Sequence, residues 1–269
     1  MYVSVDGVRA DNHAVSVFDW AFLRGDGCFE AIRSYQGRPF QVEAHVDRLA
    51  RSASALRLEL PDLHAVTSWI QGAAEASGDA VIRVVATRGG APWADAPPRV
   101  VVLGEPVPDV PESLVLAGVP APWHPAGRQW DLAGAKTLSY APNLSAARLA
   151  REGGAHDALL LADDGTILEG PTFSIAWVAD GVIETPGLDL FILDSITRRV
   201  VLGLARELDV EVRQGSFNIA RLGSSDEVFA MSTIKEVAPV GQVDDAVFEA
   251  GPVTRRLRKA FRSLAAQSS

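Results

Sequence analysis

Apolar and polar positions alternate along this chain in two different periods. Apolar runs bounded by glycine, proline or aspartate predict strands, whereas apolar residues spaced three or four apart predict amphipathic helices. The predicted strands are Val3–Val8, Cys28–Tyr35, Ala80–Ala86, Val100–Leu103, Leu114–Val119, Ala158–Ala162, Thr166–Leu168, Ser174–Val178, Val182–Glu184 and Glu227–Met231. The predicted helices are Val42–Leu58, His64–Ala76, Asn143–Glu152, Ser195–Leu208 and Val253–Leu264. This mixture predicts an α+β fold in both halves of the chain.

Local signals define several turns. Asp164-Gly165 and Asp180-Gly181 are typical of hairpin turns, because both positions tolerate a positive φ angle. Asp194 or Ser195 is the expected N-cap of the helix that follows. The Gly25-Asp26-Gly27 turn precedes a strand, but it is too short to identify a phosphate loop.

The composition changes near the middle of the chain. Prolines and glycines cluster within fifteen residues there, at Pro120, Pro122, Pro125, Gly127 and Gly134. Such a segment predicts a linker or exposed loop. We therefore expect an N-terminal domain at 1–119 and a C-terminal domain at 132–269, joined by an interdomain loop at 120–131.

The bulk properties exclude several classes of protein. The chain has 269 residues and a net charge of −9, and it lacks a basic stripe, so nucleic acid is not an expected partner. No apolar stretch is long enough to span a membrane, and Met1–Ala10 does not resemble a signal peptide. Cys28 is the only cysteine, which fits a reducing cytoplasm. Lysine occurs only at Lys136, Lys235 and Lys259, so each can be considered individually.

Four candidate groups together suggest one chemistry. Alone, Lys136 could be a surface lysine, Glu169 a turn residue and Ile196-Thr197 a simple helix start. A phosphorylated aldehyde cofactor needs a lysine for its imine, a carboxylate beside its pyridine nitrogen and an anion site for its phosphate. Lys136, Glu169, Arg48 and the amides of Ile196 and Thr197 supply these three requirements.

Five separated blocks of the chain resemble the fold-type IV aminotransferases and the aminodeoxychorismate lyases, also called the class IV aminotransferase family. The blocks are FDWAFLRGDGCFEAIRSYQGRPFQVEAHVDRL (Phe18–Leu49), KTLSYAPN (Lys136–Asn143), DALLLADDGTILEGPTFSIAWV (Asp157–Val178), ILDSITRRVV (Ile192–Val201) and DEVFAMSTIKEVAPV (Asp226–Val240). Their order matches that family over nearly the whole chain. Two departures are Ser174, where asparagine is frequent, and Lys235, where small residues are common.

The resemblance implies a two-domain fold, with the larger C-terminal α/β domain barrel-like and the cofactor, pyridoxal 5'-phosphate, between the domains. It implies that Lys136 forms the Schiff base and moves the proton, that Glu169 pairs with the pyridine nitrogen and that Tyr140 lies near the imine. The cofactor-binding residues that it implies are Lys136, Glu169, Arg48, Ile196, Thr197, Ser232 and Thr233. No metal is expected, and the resemblance implies a homodimer.

The substrate is less well defined by the sequence. The best-known D-amino-acid enzymes of this family place an arginine and a histidine after a Thr-Arg-Gly block, but here Thr87–Pro92 is followed by Trp93 and Asp95. The candidate substrate-binding residues are Arg24, Arg88, Lys235 and Phe22. Arg24 resembles an arginine of a less typical group of D-amino-acid aminotransferases, although a surface ion pair would also explain it. We expect a transaminase that acts on D-amino acids and on (R)-primary amines. A branched-chain L-amino-acid aminotransferase, an aminodeoxychorismate lyase and a non-catalytic cofactor-binding protein are the alternatives.

Overall fold

A computed structural model describes residues 1–10, 15–91, 93 and 96–267. The chain forms two compact units. The first unit comprises Met1–Pro108, Ala135–Tyr140 and Ala265–Ser269, and the second comprises Asp109–Gly134 and Ala141–Leu264. This division differs from the expected domain limits, because strand pairing rather than chain order decides which unit a segment joins.

Strands and helices occur in separate runs along the chain, as is typical of an α+β fold. The strands are β1 (Tyr2–Val5), β2 (Val8–Arg9), β3 (Gly27–Tyr35), β4 (Arg38–Pro39), β5 (Ala80–Thr87), β6 (Arg99–Glu105), β7 (Leu114–Pro120), β8 (Asp157–Leu161), β9 (Ser174–Ala179), β10 (Val182–Pro186), β11 (Val212–Gly215), β12 (Glu227–Ser232), β13 (Glu236–Val243) and β14 (Ala246–Val247). The α-helices are α1 (Trp20–Arg24), α2 (Val42–Ala55), α3 (Leu63–Ser77), α4 (Ala141–Glu152), α5 (Ile196–Glu207) and α6 (Pro252–Gln267). Two 3₁₀ helices span Leu188–Leu190 and Ile219–Ser224.

The first unit contains a six-stranded sheet in the order β2-β1-β6-β5-β3-β4, and all its pairs are antiparallel. The helices α2 and α3 contribute Val46, Leu49 and Ile70 to a core that includes Ile32 and Ile82 of the sheet. Burial of these side chains against one face of the sheet gives the unit its own hydrophobic core.

The second unit contains an eight-stranded sheet in the order β11-β10-β9-β12-β13-β7-β8, with β14 paired to β13. Its pairs are antiparallel except β10 with β11, β13 with β7 and β7 with β8, which are parallel. Strand β9 is buried along its whole length, and Trp177 and Phe229 are among the largest fully buried side chains. In the described part of the chain, no helix has the length and apolarity that a membrane span requires.

The hairpin prediction at Asp180-Gly181 is confirmed. Both residues have positive φ, 51° and 77°, and Val182 pairs with Ala179 across the turn. The turn at Asp164-Gly165 is closed by an isolated antiparallel bridge between Leu161 and Ile167.

Two predictions of secondary structure need correction, and some elements were not predicted. The strand predicted over Val3–Val8 is two strands, because Asp6 and Gly7 have positive φ and form a turn. The strand predicted over Thr166–Leu168 makes only isolated bridges. Helix α1 and strands β11 and β13 were not predicted from the sequence, because they are short or lack a clear period.

Candidate functional site

The segment that carries Lys136 is paired along the first part of β3. Phe29 N–H donates to the Lys136 carbonyl at 3.0 Å, and Leu138 N–H donates to the Gly27 carbonyl at 2.8 Å. Lys136 N–H also donates to Ser52 Oγ at 3.0 Å. These bonds hold the backbone of Lys136 within the first unit, so that its side chain starts from a defined position.

The Gly25-Asp26-Gly27 turn makes this pairing possible. Gly25 has φ of 69° and caps the C-terminal end of α1. A Cβ atom at Gly27 would lie 2.5 Å from the Ala86 carbonyl oxygen and 2.7 Å from Leu138 Cδ1. Only glycine therefore permits this close approach, and the turn serves as a helix end and a strand junction.

Two aromatic rings flank the Lys136 side chain. Its Nζ lies 4.3 Å from the centre of the Phe29 ring and 5.7 Å from that of Tyr140. The two rings meet edge to face, with centres 5.5 Å apart. Tyr140 thus lies next to the lysine, and its position near the imine stays a prediction.

Arg48 lies on the buried face of α2 and forms a two-point ion pair with Glu30 of β3. Its Nε and Nη2 each lie 2.7 Å from a different carboxylate oxygen of Glu30. His45, one helical turn earlier, places Nδ1 2.8 Å from Glu30 Oε2. His45, Arg48 and Ser52 are spaced so that they share one helix face.

The charges of this cluster depend on one another. Burial alone would raise the pKa of Glu30, but the Arg48 charge and the hydrogen bonds from Arg48 and His45 outweigh burial and lower that pKa to about 2. Burial lowers the pKa of His45, and the charges of Arg48 and Lys136 act in the same direction. Glu30 is therefore an anion, and His45 donates its Nδ1 proton to it.

In the second unit, the Glu169 carboxylate has polar neighbours on two loops. Leu193 N–H lies 3.2 Å from both Glu169 carboxylate oxygens. His124 Nε2 lies 3.5 Å from Glu169 Oε1. The side chain of Glu169 is 14% exposed, so it is partly open to a ligand.

Leu193 leads directly into the N-terminus of α5. Ser195 is the N-cap, as predicted, and its Oγ accepts the Arg198 N–H at 3.3 Å. The Ser195 carbonyl accepts the Arg199 N–H. Within the described residues, the N–H groups of Ile196 and Thr197 have no acceptor, so this helix end can hold an anion.

The turn between β12 and β13 holds Ser232, Thr233 and Lys235. Ser232 Oγ accepts the Lys235 N–H at 3.0 Å. Lys235 Nζ donates to Thr172 Oγ1 at 3.2 Å and lies 3.6 Å from Asp157 Oδ2. Because Thr172 follows Glu169 by three residues, this turn and the Glu169 segment of the second unit lie together.

The other proposed substrate residues have different surroundings. Arg24 is exposed, with its guanidinium 5.6 Å from the Trp20 ring centre, and Phe22 is 69% exposed. Arg88 donates to both carboxylate oxygens of Asp26 and to the carbonyls of Leu56 and Arg57. Through these bonds Arg88 links the end of α2 to the Gly25-Asp26-Gly27 turn, which gives it a structural role. Pro92 and Asp95, which follow or end the Thr-Arg-Gly block considered above, lie outside the described residues.

Four residues of these clusters were missed from the sequence: Glu30, His45, Ser52 and His124. Glu30 and His45 carry a signal, because a carboxylate on the apolar face of a strand and a histidine on the apolar face of a helix need polar partners. Ser52, a small hydroxyl residue, carries no such signal. His124 carries none, since it falls in the proline-rich segment that was interpreted as a linker.

The donor set has the chemistry that pyridoxal phosphate requires. The first unit provides an amine at Lys136 and a buried guanidinium at Arg48, and the second provides a carboxylate at Glu169 and a helix N-terminus. Among the described residues, no group of three or more histidine, cysteine or acidic side chains is arranged to hold a metal ion.

Comparisons with known proteins agree with this chemistry. The family model for amino-transferase class IV matches residues 27–243, well over half of the chain. A protein of Methanocaldococcus jannaschii, provisionally named a branched-chain-amino-acid aminotransferase, is 30% identical over 98% of this chain and 96% of its own length. A bifunctional aminodeoxychorismate lyase / D-amino acid transaminase of Mycobacterium tuberculosis is 29% identical over 91% of each chain. The crystal structure of a branched-chain aminotransferase from Thermoproteus uzoniensis with norvaline superposes with a TM-score of 0.90 at 26% identity, covering 100% of this chain and 96% of that one.

Proposed function

The chain belongs to the class IV aminotransferase family, whose cofactor is pyridoxal phosphate, and on this premise we propose that it transfers the amino group of a D-amino acid to a 2-keto acid. The resemblance drawn from the sequence is confirmed at the level of the family, the enzyme class and the cofactor. The substrate and the roles of individual residues are the proposal.

Bound pyridoxal phosphate supplies an electron sink for the negative charge that develops at the substrate Cα. Lys136 Nζ would accept the proton that leaves the substrate Cα and later release it, acting as general base and then as general acid. The rings of Phe29 and Tyr140 limit the positions that this amine can take.

Glu169 would accept a hydrogen bond from the protonated pyridine nitrogen and keep that nitrogen charged. Arg48 and the N–H groups of Ile196 and Thr197 would hold the phosphate, because a guanidinium and a helix N-terminus suit an anion. Ser232 and Thr233 provide hydroxyl groups for the same purpose. Glu30 holds the guanidinium of Arg48 in one orientation through its two hydrogen bonds.

The observation that supports an amino acid, which has a carboxylate, as the substrate is the nearly enclosed ammonium group of Lys235, whose side chain is 15% exposed. It lies in the turn that bears Ser232 and Thr233, and it contacts Thr172 of the Glu169 segment. Burial lowers the pKa of Lys235, while Asp157 acts against that shift. A second carboxylate, that of an amino acid, would favour the charged ammonium further. We propose that Lys235 binds the substrate α-carboxylate, with Arg24 as a second cation.

The branched-chain reading is the second candidate, because the relatives from M. jannaschii and T. uzoniensis carry that name. The name of the M. tuberculosis relative supports both the D-amino-acid reading and the lyase reading. Both candidate substrates carry an α-carboxylate that Lys235 would bind, so we favour the D-amino acid on the resemblance of Arg24 and on the name of the M. tuberculosis relative.

The deciding experiment is a half-reaction followed in the visible absorption of the bound cofactor. The loaded protein is mixed separately with D-alanine, L-leucine, (R)-1-phenylethylamine and aminodeoxychorismate. Loss of the visible band with D-alanine but not L-leucine supports the proposal, and the reverse result makes the enzyme a branched-chain aminotransferase. Pyruvate release from aminodeoxychorismate without lasting loss of the band identifies the lyase. Lys136→Ala should abolish every reaction, and Lys259→Ala, at an exposed lysine, serves as the control.

We also propose that the protein is a cytoplasmic homodimer. Phe18, Phe22, Leu23 and Trp93 are 55–81% exposed, which is unusual for large apolar side chains unless another surface covers them. Sedimentation velocity should give twice the chain mass, and Phe18→Glu should reduce that mass to one chain.

A further inference from the structure

We infer that His124 is a positioning residue, which fixes the Glu169 carboxylate by donating a hydrogen bond from Nε2. The inference deepens the proposed function, since it rests on the role of Glu169 beside the pyridine nitrogen. His124 does not touch the reacting atoms in this account. It acts only through Glu169.

The tautomer of His124 follows from its other neighbour. Ala126 N–H donates to His124 Nδ1 at 3.1 Å, so Nδ1 carries a lone pair. In the neutral ring the proton is then on Nε2, which faces Glu169 Oε1 at 3.5 Å. This separation is at the outer limit of a hydrogen bond, and contacts of catalytic groups commonly shorten when the ligand binds.

The backbone around His124 is rigid. His124 N–H donates to the Ala121 carbonyl at 2.9 Å, and Arg128 N–H donates to the Pro125 carbonyl at 2.9 Å. Pro125 also restricts the backbone conformation of His124. The imidazole therefore approaches Glu169 from a fixed loop, which is the support that a catalytic carboxylate requires.

The two donors to Glu169 have separate origins. Leu193 N–H comes from the turn that opens α5 and is shared by both carboxylate oxygens. A shared backbone donor does not distinguish the two oxygens, whereas His124 contacts Oε1 alone. We infer that His124 holds the Glu169 carboxylate in one orientation, in which Oε2 faces the pyridine nitrogen.

Two conservative variants separate the two ring nitrogens. Asparagine retains an acceptor near the position of Nδ1 and loses the donor to Glu169, whereas glutamine retains a donor near the position of Nε2. An alanine variant is less useful, because His124 lines a cavity of about 290 Å³, where water could replace the imidazole.

The test measures cofactor affinity, without any amino donor, so its result does not depend on the substrate proposal. Wild type, His124→Asn and His124→Gln are titrated with pyridoxal phosphate and with its 1-deaza analogue, which has carbon in place of the pyridine nitrogen. We expect His124→Asn to bind pyridoxal phosphate about tenfold more weakly than wild type, the effect of one hydrogen bond to a charged group. Its affinity for the analogue should equal that of wild type, and His124→Gln should stay within about threefold of wild type for both ligands.

Four outcomes would overturn the inference. Equal losses for both ligands would mean that His124 supports only the loop, and unchanged affinity of His124→Asn for pyridoxal phosphate would mean that the contact has no effect. Equal weakening by Asn and Gln would contradict the donor assignment. In the full-length protein, two-bond ¹H–¹⁵N correlations should also show the His124 proton on Nε2, and a proton on Nδ1 would contradict the tautomer. Failure of D-alanine to react would leave these readouts unaffected, so it would count only against the proposed substrate.

Discussion

Glu30 and Arg48 face each other across the interface between β3 and α2, and both side chains are almost fully buried. Two hydrogen bonds of 2.7 Å join them, one to each carboxylate oxygen. A buried charge of either kind is unfavourable alone, so the two residues depend on each other. The same pair determines the direction in which the Arg48 guanidinium points.

Glu30→Gln should therefore lower both the free energy of unfolding and the affinity for pyridoxal phosphate. Loss of one partner of a buried ion pair costs about 3–5 kcal/mol in unfolding free energy. The matched control is Glu105→Gln, which breaks a half-exposed pair with Arg83 and should cost less than about 1 kcal/mol. Urea unfolding and titration with pyridoxal phosphate measure both effects. Equal losses in the two variants would contradict the assigned role of Glu30.

The Glu30 pair also predicts acid sensitivity. The pKa of Glu30 is lowered from 4.5 to about 2 in the folded protein, so its contribution to stability is present above about pH 4.5 and is lost as the pH falls towards 2. Urea midpoints measured across that range should fall more steeply for wild type than for Glu30→Gln. Parallel curves would show that Glu30 does not contribute.

His45 should make the free energy of unfolding depend on pH in a higher range than Glu30 does. Its pKa is lowered from 6.5 by burial, so the unfolded chain binds a proton that the folded chain does not. Stability from this source is present above about pH 6.5 and decreases as the pH falls below that value. His45→Gln should flatten the dependence of the urea midpoint between about pH 7.5 and 5.5, while His64→Gln, at an exposed histidine, should follow wild type. A steeper curve for His45→Gln would contradict this assignment.

Gly27→Ala should disturb the segment that carries Lys136. The added Cβ would collide with the Ala86 carbonyl and Leu138, and such overpacking costs about 1–3 kcal/mol. Gly203→Ala, inside α5 with no neighbour within 4 Å of the new methyl group, should instead stabilise the protein by up to about 1 kcal/mol. Thermal unfolding of both variants tests the contrast, and an unchanged Gly27→Ala protein would show that β3 can adjust.

Lys235→Met should distinguish substrates that have a carboxylate from those that do not. Removal of a charged hydrogen bond should raise the KM for D-alanine by about tenfold or more. The KM for (R)-1-phenylethylamine should change by less than about threefold, because that amine has no carboxylate for Lys235 to bind. Lys259→Met is the control. If both substrates were affected equally, Lys235 would have a structural role through Asp157 and Thr172.

Much of this protein could be predicted from local patterns. The strands β3, β5 and β12 and the helices α2, α3 and α5 begin and end within a few residues of their expected limits, because side-chain periodicity and capping are local properties. The Asp180-Gly181 turn was predicted for the same reason. The family and the cofactor chemistry also followed from blocks of sequence in a fixed order.

Other features depended on contacts between distant residues. Strand β13 contains Pro239 and Gly241, so its pattern is weak, yet it pairs with β12 and β7. Lys136 joins the first unit because Phe29 and Ser52 bind its backbone.

The sequence by itself determined the family and with it the class of chemistry, through blocks of residues in a fixed order, and it proposed Lys136, Glu169 and Arg48 as the residues that carry that chemistry. The tertiary structure alone decided which side chains support them: Glu30 and His45 beside Arg48, His124 beside Glu169, and Asp157 beside Lys235. The physical reason is that the pairing of charges and hydrogen bonds depends on distances of a few ångströms between residues far apart in the chain. No local pattern of polar and apolar positions contains those distances.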